Sequence, residues 1–335
     1  MALLPPATDT PLTLPALGGQ PATVHLFDET MVDAVNVALS AQRPLLVRGE
    51  PGTGKSQLAR AVAERLGWVL LPKVIDAHAE AKDLLYHFDP VARLAKAQLL
   101  RALGDARNET ALRDALDLRL FVAPGPLWWA FDWASAEAQA KRAVDVEQPR
   151  PDWLESAGVP PGCVVLLDEI DKADSAVPNG LLEALGHGRF PIPGGAVACQ
   201  TSGPRPLVIV TTNEERALPD AFLRRCVVLA MDLPPSTDAL QQWLVRRGQA
   251  HFPNCPQVVL ARAAELLIED RVKVQRRGLV APGQAEYLDL LRSLSVLSPW
   301  SDTKDGSEQA ARLALEMLQR VKRYVLDKHP AEDPV

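Results

Sequence analysis

The chain has 335 residues, above the roughly 250–300 at which one hydrophobic core stops growing, so two folded units are expected. Hydrophobic residues make up 47% and charged residues 23%, which excludes general disorder, and a net charge of −6 argues against a polyanion as the main partner. The cysteines Cys163, Cys199, Cys226 and Cys255 form no Cys-x-x-Cys pair, which argues against a structural zinc site or a disulfide scaffold and predicts reduced thiols. No apolar run approaches the roughly 18 residues that span a bilayer, and the opening lacks a basic patch followed by an apolar stretch. A cytoplasmic protein with no membrane partner is the expectation.

Residues 1–24, rich in proline and small side chains, read as an extended arm. Met31, Val32, Val35 and Leu39 then fall on one side of a helix. Pro44–Val47 is a short buried strand, followed by a glycine-rich turn and a second helical stripe of Leu58, Ala59, Val62, Ala63 and Leu66. Trp68–Leu71 starts another strand. The stretch from about 77 to 161 is long and mixed, with helical spacing around Leu94–Leu103 and Ala111–Leu118, an aromatic block at Phe121–Asp132 and a polar stretch at Ser135–Pro151. Val164–Leu167, Leu207–Val210 and Val227–Leu229 complete a set of five apolar strands separated by helical segments, the signature of a parallel sheet covered by helices. Beyond Pro234 four helical stripes succeed one another with no strand between them, around Leu240–Leu244, Val258–Leu267, Tyr287–Leu294 and Leu313–Val325.

Gly49-Glu50-Pro51-Gly52-Thr53-Gly54-Lys55-Ser56 matches G-x-x-x-x-G-K-[ST], with a buried strand before it and an amphipathic helix after it. Backbone N–H groups must come close to phosphate oxygens there, and the helix N-terminus adds a favourable dipole. Lys55 would supply charge to the β- and γ-phosphates of ATP and Ser56 a hydroxyl ligand for Mg²⁺. Val164–Leu167 ends in Asp168-Glu169, delivered to the same sheet edge as the phosphate loop. Asp168 is the natural partner of Mg²⁺, while Glu169, on the other side of the strand, would polarise the attacking water. Asn213, after Leu207–Val210, either orients that water or is a turn residue. Arg224-Arg225 would be helix-end cations on the dipeptide alone.

These residues resemble AAA+ ATPases, and within them the MoxR-type branch. The resemblance runs from about Asp28 into the C-terminal helices. It is carried by Gly49–Ser56, Gly125-Pro126-Leu127-Trp128-Trp129, Val164–Asp171, Leu181–Leu185, Pro206–Asn213 and Leu218–Arg225. It implies an α/β core over 25–233 with a five-stranded parallel sheet in the order 5-1-4-3-2, an insertion over about 77–161, and a helical lid over 234–335. It also implies ring assembly, usually hexameric, with Asn213 as the first sensor of the γ-phosphate and Arg224 or Arg225 as a finger acting on a neighbouring subunit. Arg189–Cys199 corresponds to a β-hairpin, for which Gly194-Gly195 can supply the turn. The sequence departs from the pattern at the second sensor, where relatives often carry arginine and this chain has Gln284; Arg276 and Arg277 lie seven to eight residues earlier.

Trp128, Trp129, Phe131 and Trp133 either contact a client or anchor the insertion on the core. The basic run Arg271–Arg277 is either a solvated helix end or a nucleic-acid contact. The function implied is ATP-driven remodelling or maturation of a partner protein, for which a separate von Willebrand factor A domain protein is a candidate. The alternatives are a nucleotide-controlled assembly switch in a signalling or defence complex, and a motor stimulated by nucleic acid.

Overall fold

A computed structural model of the chain describes residues 3–8, 10–17, 19, 21–102, 109–143, 151, 158–194, 199–201, 203–297 and 308–326. Two compact units divide the chain. One comprises Met1–Ala7, Asp28–Arg48 and Ser56–Leu229, the other Thr8–Phe27, Gly49–Lys55 and Ala230–Val335. The phosphate-loop segment therefore groups with the C-terminal helices.

The first strands along the chain belong to the second unit, a hairpin of β1 (Leu12–Leu14) and β2 (Thr23–His25), paired antiparallel with Leu14 opposite Thr23. The opening segment is thus partly strand rather than a plain extended arm, and Leu14 is fully buried.

The first helix of the first unit is α1 (Glu29–Ala41), whose N-cap Asp28 accepts a hydrogen bond from the Met31 amide at 2.8 Å. Its buried face is Met31, Val32, Val35, Ala38 and Leu39, the stripe expected from spacing. Next come β3 (Leu45–Arg48), α2 (Lys55–Leu66), β4 (Val69–Val74), β5 (Tyr86–Phe88), α3 (Pro90–Ala102), α4 (Glu109–Ala115) and β6 (Val122–Pro124). They are followed by α5 (Pro126–Phe131), α6 (Trp133–Arg142), β7 (Cys163–Asp168), α7 (Ala176–His187), β8 (Arg189–Phe190), β9 (Cys199–Gln200), β10 (Leu207–Thr212), α8 (Asp220–Leu223) and β11 (Val227–Ala230). Five strands form one parallel sheet in the order β11-β3-β10-β7-β4, which is the order the resemblance implies. Three of its strands, β3, β10 and β7, are buried on both faces apart from the last residues of β3 and β7, which is why they read as continuous apolar runs.

The aromatic block resolves as an anchor. Trp128, Trp129 and Phe131 are almost wholly buried in a core with Leu46, Val165, Leu167, Val208 and Val210, and the Trp128 indole N–H donates to Ser135 Oγ at 2.8 Å. Gln139 ties α6 to the same region by donating to the carbonyls of Arg119 and Val122 at 2.7 and 2.6 Å. A client contact through Trp128 or Trp129 is therefore excluded in this state. β8 and β9 pair antiparallel as the expected hairpin, with Gly194 at φ +69; Gly195 and residues 196–198 of its turn lie outside the described residues, as do 103–108, 144–150 and 152–157 of the insertion.

The second unit continues as α9 (Thr237–His251), α10 (Gln257–Arg276), α11 (Gln284–Leu297) and α12 (Glu308–Val325). α10 packs against the other three, around Leu244, Val259, Leu260, Leu267, Tyr287, Leu291 and Leu318. Among the described residues no helix is long and apolar enough to cross a membrane. All four cysteines are free. Burial pushes each thiol up to about 12.

Candidate functional site

At the C-terminal end of β7, in the first unit, Ser56 Oγ donates to both carboxylate oxygens of Asp168, at 2.7 and 2.9 Å. Ser56 lies in the first turn of α2, so this contact joins the start of that helix to the strand tip. Thr211 Oγ1 on the neighbouring β10 donates to Asp168 Oδ1 at 2.6 Å and accepts from the Glu169 amide at 2.9 Å. The parallel register explains why: Val210 lies opposite Leu167, so Thr211 is level with Asp168.

Glu169 was expected on the far side of the strand. It instead follows the strand in a left-handed turn, φ 62 and ψ 48, a conformation that non-glycine residues seldom adopt. Its Oε2 pairs with Lys172 Nζ at 2.6 Å, and the carboxylate beside it holds the Lys172 ammonium above its ordinary value. Asn213 Nδ2 stands 3.5 Å from Glu169 Oε1, a long contact that nonetheless brings the two together. Asp171, 2% exposed, fixes the turn after β10 by accepting from the amides of Asn213 and Glu215 at 3.2 and 3.0 Å.

In the second unit the loop after β3 holds Gly49 at φ +146 and Gly52 at φ +77, both conformations that a side chain would strain. A Cβ on Gly49 would also lie 2.6 Å from the Met231 carbonyl oxygen. Lys55 is buried and donates to the carbonyls of Gly49 and Glu50, both at 2.8 Å, while Thr53 Oγ1 donates to the same Glu50 carbonyl at 3.0 Å. The Glu50 carboxylate is held by Arg271 of α10, with Nη2 at 2.7 Å from Oε1 and 2.6 Å from Oε2. Gln284 begins α11 and is buried. Close by, a Cβ on Gly52 would meet the Ala285 Cβ at 3.0 Å. Arg276 and Arg277, by contrast, are exposed at the end of α10. Of the basic run, it is Arg271 that turns inward.

Arg224 and Arg225 follow α8 and precede β11, an edge strand three places along the sheet from β7, which ends in Asp168. Arg225 Nη1 donates to the Ala221 carbonyl at 2.9 Å, and the residue borders a cavity of about 280 Å³ that also touches Arg43, Arg205, Leu185 and Phe222. Neither arginine belongs to the Asp168 cluster of its own chain.

Thr211 and Lys172 were missed from the sequence, while Asp171 entered only as the end of a family landmark and Arg271 only as part of a basic run. For Thr211 the signal was available, since aligning the polar ends of two adjacent parallel strands sets it beside Asp168.

A parallel sheet of this order, with a glycine-rich loop after one strand and an acidic pair after another, defines a P-loop nucleoside-triphosphatase core of the AAA+ type. The AAA domain family, dynein-related subfamily, matches residues 44–247, more than half of the chain, and the chain belongs to that family. No curated protein matches it.

Proposed function

We propose that the chain binds Mg-ATP, hydrolyses it to ADP and phosphate, and uses the free energy to remodel or mature a partner protein in the manner of the MoxR branch. The observation that carries the nucleotide part is the grip of Ser56 Oγ on both oxygens of Asp168. A hydroxyl and a carboxylate are hard oxygen donors of the kind Mg²⁺ accepts, so the residues fit that ion. Bound there, Mg²⁺ would neutralise charge on the triphosphate.

In this mechanism the amides of Gly49–Gly54 cradle the phosphates, and Lys55 transfers its hydrogen bonds from the Gly49 and Glu50 carbonyls to phosphate oxygens. Glu169 accepts a proton from the attacking water, which adds to the γ-phosphorus as the bond to the β–γ bridging oxygen breaks. Asn213 orients that water through its amide, and Gln284 presents the first turn of α11 to the nucleotide. Arg224 or Arg225, just before the edge strand β11, acts on a neighbouring copy in a ring, taken as a hexamer. We assign residues 25–233 to the nucleotide-binding core and 234–335 to the lid. The client is a separate polypeptide, for which a von Willebrand factor A domain protein is the candidate.

The experiment is the Glu169→Gln variant. It should bind ATP within a few-fold of wild type, lose turnover by about 10²–10⁴-fold, and retain clients on affinity purification. Full biological output from a variant with no turnover would replace remodelling by a nucleotide-controlled assembly switch. Arg225→Ala should slow hydrolysis at least tenfold without weakening binding, and turnover unchanged in both single arginine variants and in the double variant would remove the trans assignment.

A further inference from the structure

Arg271 is a buried cation, its side chain only 10% exposed, in a run whose other cations Lys273, Arg276 and Arg277 are exposed to solvent. One guanidinium serves two partners: Nη2 spans both oxygens of Glu50, and Nη1 donates to the Pro282 carbonyl at 3.0 Å, two residues before α11 begins. Glu50 is itself a hub. Its carboxylate goes to Arg271, while its carbonyl receives the Lys55 ammonium and the Thr53 hydroxyl. A chain of short contacts therefore runs from α10 through Glu50 to the lysine of the phosphate loop, all of it within the second unit.

A part-buried ion pair serving stability alone has no need to end on this residue. Holding Glu50 by its side chain fixes the peptide whose carbonyl positions Lys55, and so sets the starting point from which the ammonium reaches a phosphate. The same guanidinium pins the turn leading into α11, so a shift of the loop on binding must be felt there.

We infer that Arg271 is a positioning residue for nucleotide binding, shaping the phosphate loop through Glu50 and coupling it to the α10–α11 turn. This rests on the ATP-binding reading above. Arg271→Met, which keeps the aliphatic stem, and Glu50→Gln should each raise the Kd for Mg-ATP about tenfold, with kcat at saturation within twofold of wild type. The double variant should bind no more weakly than either single one, because both break the same link. Arg271→Lys, retaining a point charge without the fork, should recover part of the affinity.

Isothermal titration with ATP, thermal melts and steady-state kinetics on the full chain would be run together with Lys55→Ala. ATP affinity lost in Lys55→Ala but unchanged in Arg271→Met and Glu50→Gln, whatever happens to the melting temperature, overturns this inference alone. Affinity unchanged in Lys55→Ala overturns the nucleotide reading, and this inference falls with it. Because Glu50 is half-exposed, Glu50→Gln decides the matter even if Arg271→Met fails to fold.

Discussion

Two carboxylates flank the segment from Glu50 to Ser56 in their contacts, and their partners differ in kind. Asp168 is held by the neutral hydroxyls of Ser56 and Thr211, so its position is fixed by uncharged donors. Glu50 is held by the guanidinium of Arg271, so its charge is spent inside the protein. If Mg²⁺ binds as proposed, neutral donors leave the anion free to meet it, whereas a cationic partner turns a carboxylate into a strut. The same chemical group thus serves as a prospective ligand in one unit and as a tie in the other.

The division can be broken by exchanging losses. Asp168→Asn should have the larger effect, cutting Mg²⁺-dependent hydrolysis about 100-fold, on the scale of a lost contact between opposite charges at a metal site. Glu50→Gln should leave the Mg²⁺ requirement as it was. A Mg²⁺ titration showing equal shifts for the two variants would erase the distinction. Thr211→Val sharpens it with a smaller effect: the Mg²⁺ needed for half-maximal turnover should rise about tenfold, as expected for a supporting partner of a ligand. If turnover of Thr211→Val is unaltered at limiting Mg²⁺, Asp168 does not depend on its hydroxyl neighbours.

Much of this was legible in the sequence because it is local. The apolar runs 45–47, 164–167, 207–210 and 227–229 announced strands, and Gly49–Ser56 carried its own spacing and context. The order of the sheet came from the family resemblance instead, since spacing alone does not say which strands pair. What stayed hidden depends on partners far apart along the chain. Arg271 and Glu50 are separated by 221 positions, and Thr211 and Asp168 by 43. The aromatic block was ambiguous for a related reason: a run of tryptophans looks the same whether it faces a client or a core. Burial beneath the sheet decided that. Glu169 was misplaced because strand alternation was carried one residue too far, past the point where the backbone turns left-handed.

The buried thiols give the molecule a built-in chemical clock. With burial pushing their pKa values up to about 12, Cys163, Cys199 and Cys255 carry little thiolate at neutral pH, so alkylating reagents should attack them chiefly when the surrounding backbone opens. Cys163 and Cys199 would time openings of the sheet-bearing unit, and Cys255 those of the helical one, without a single introduced label.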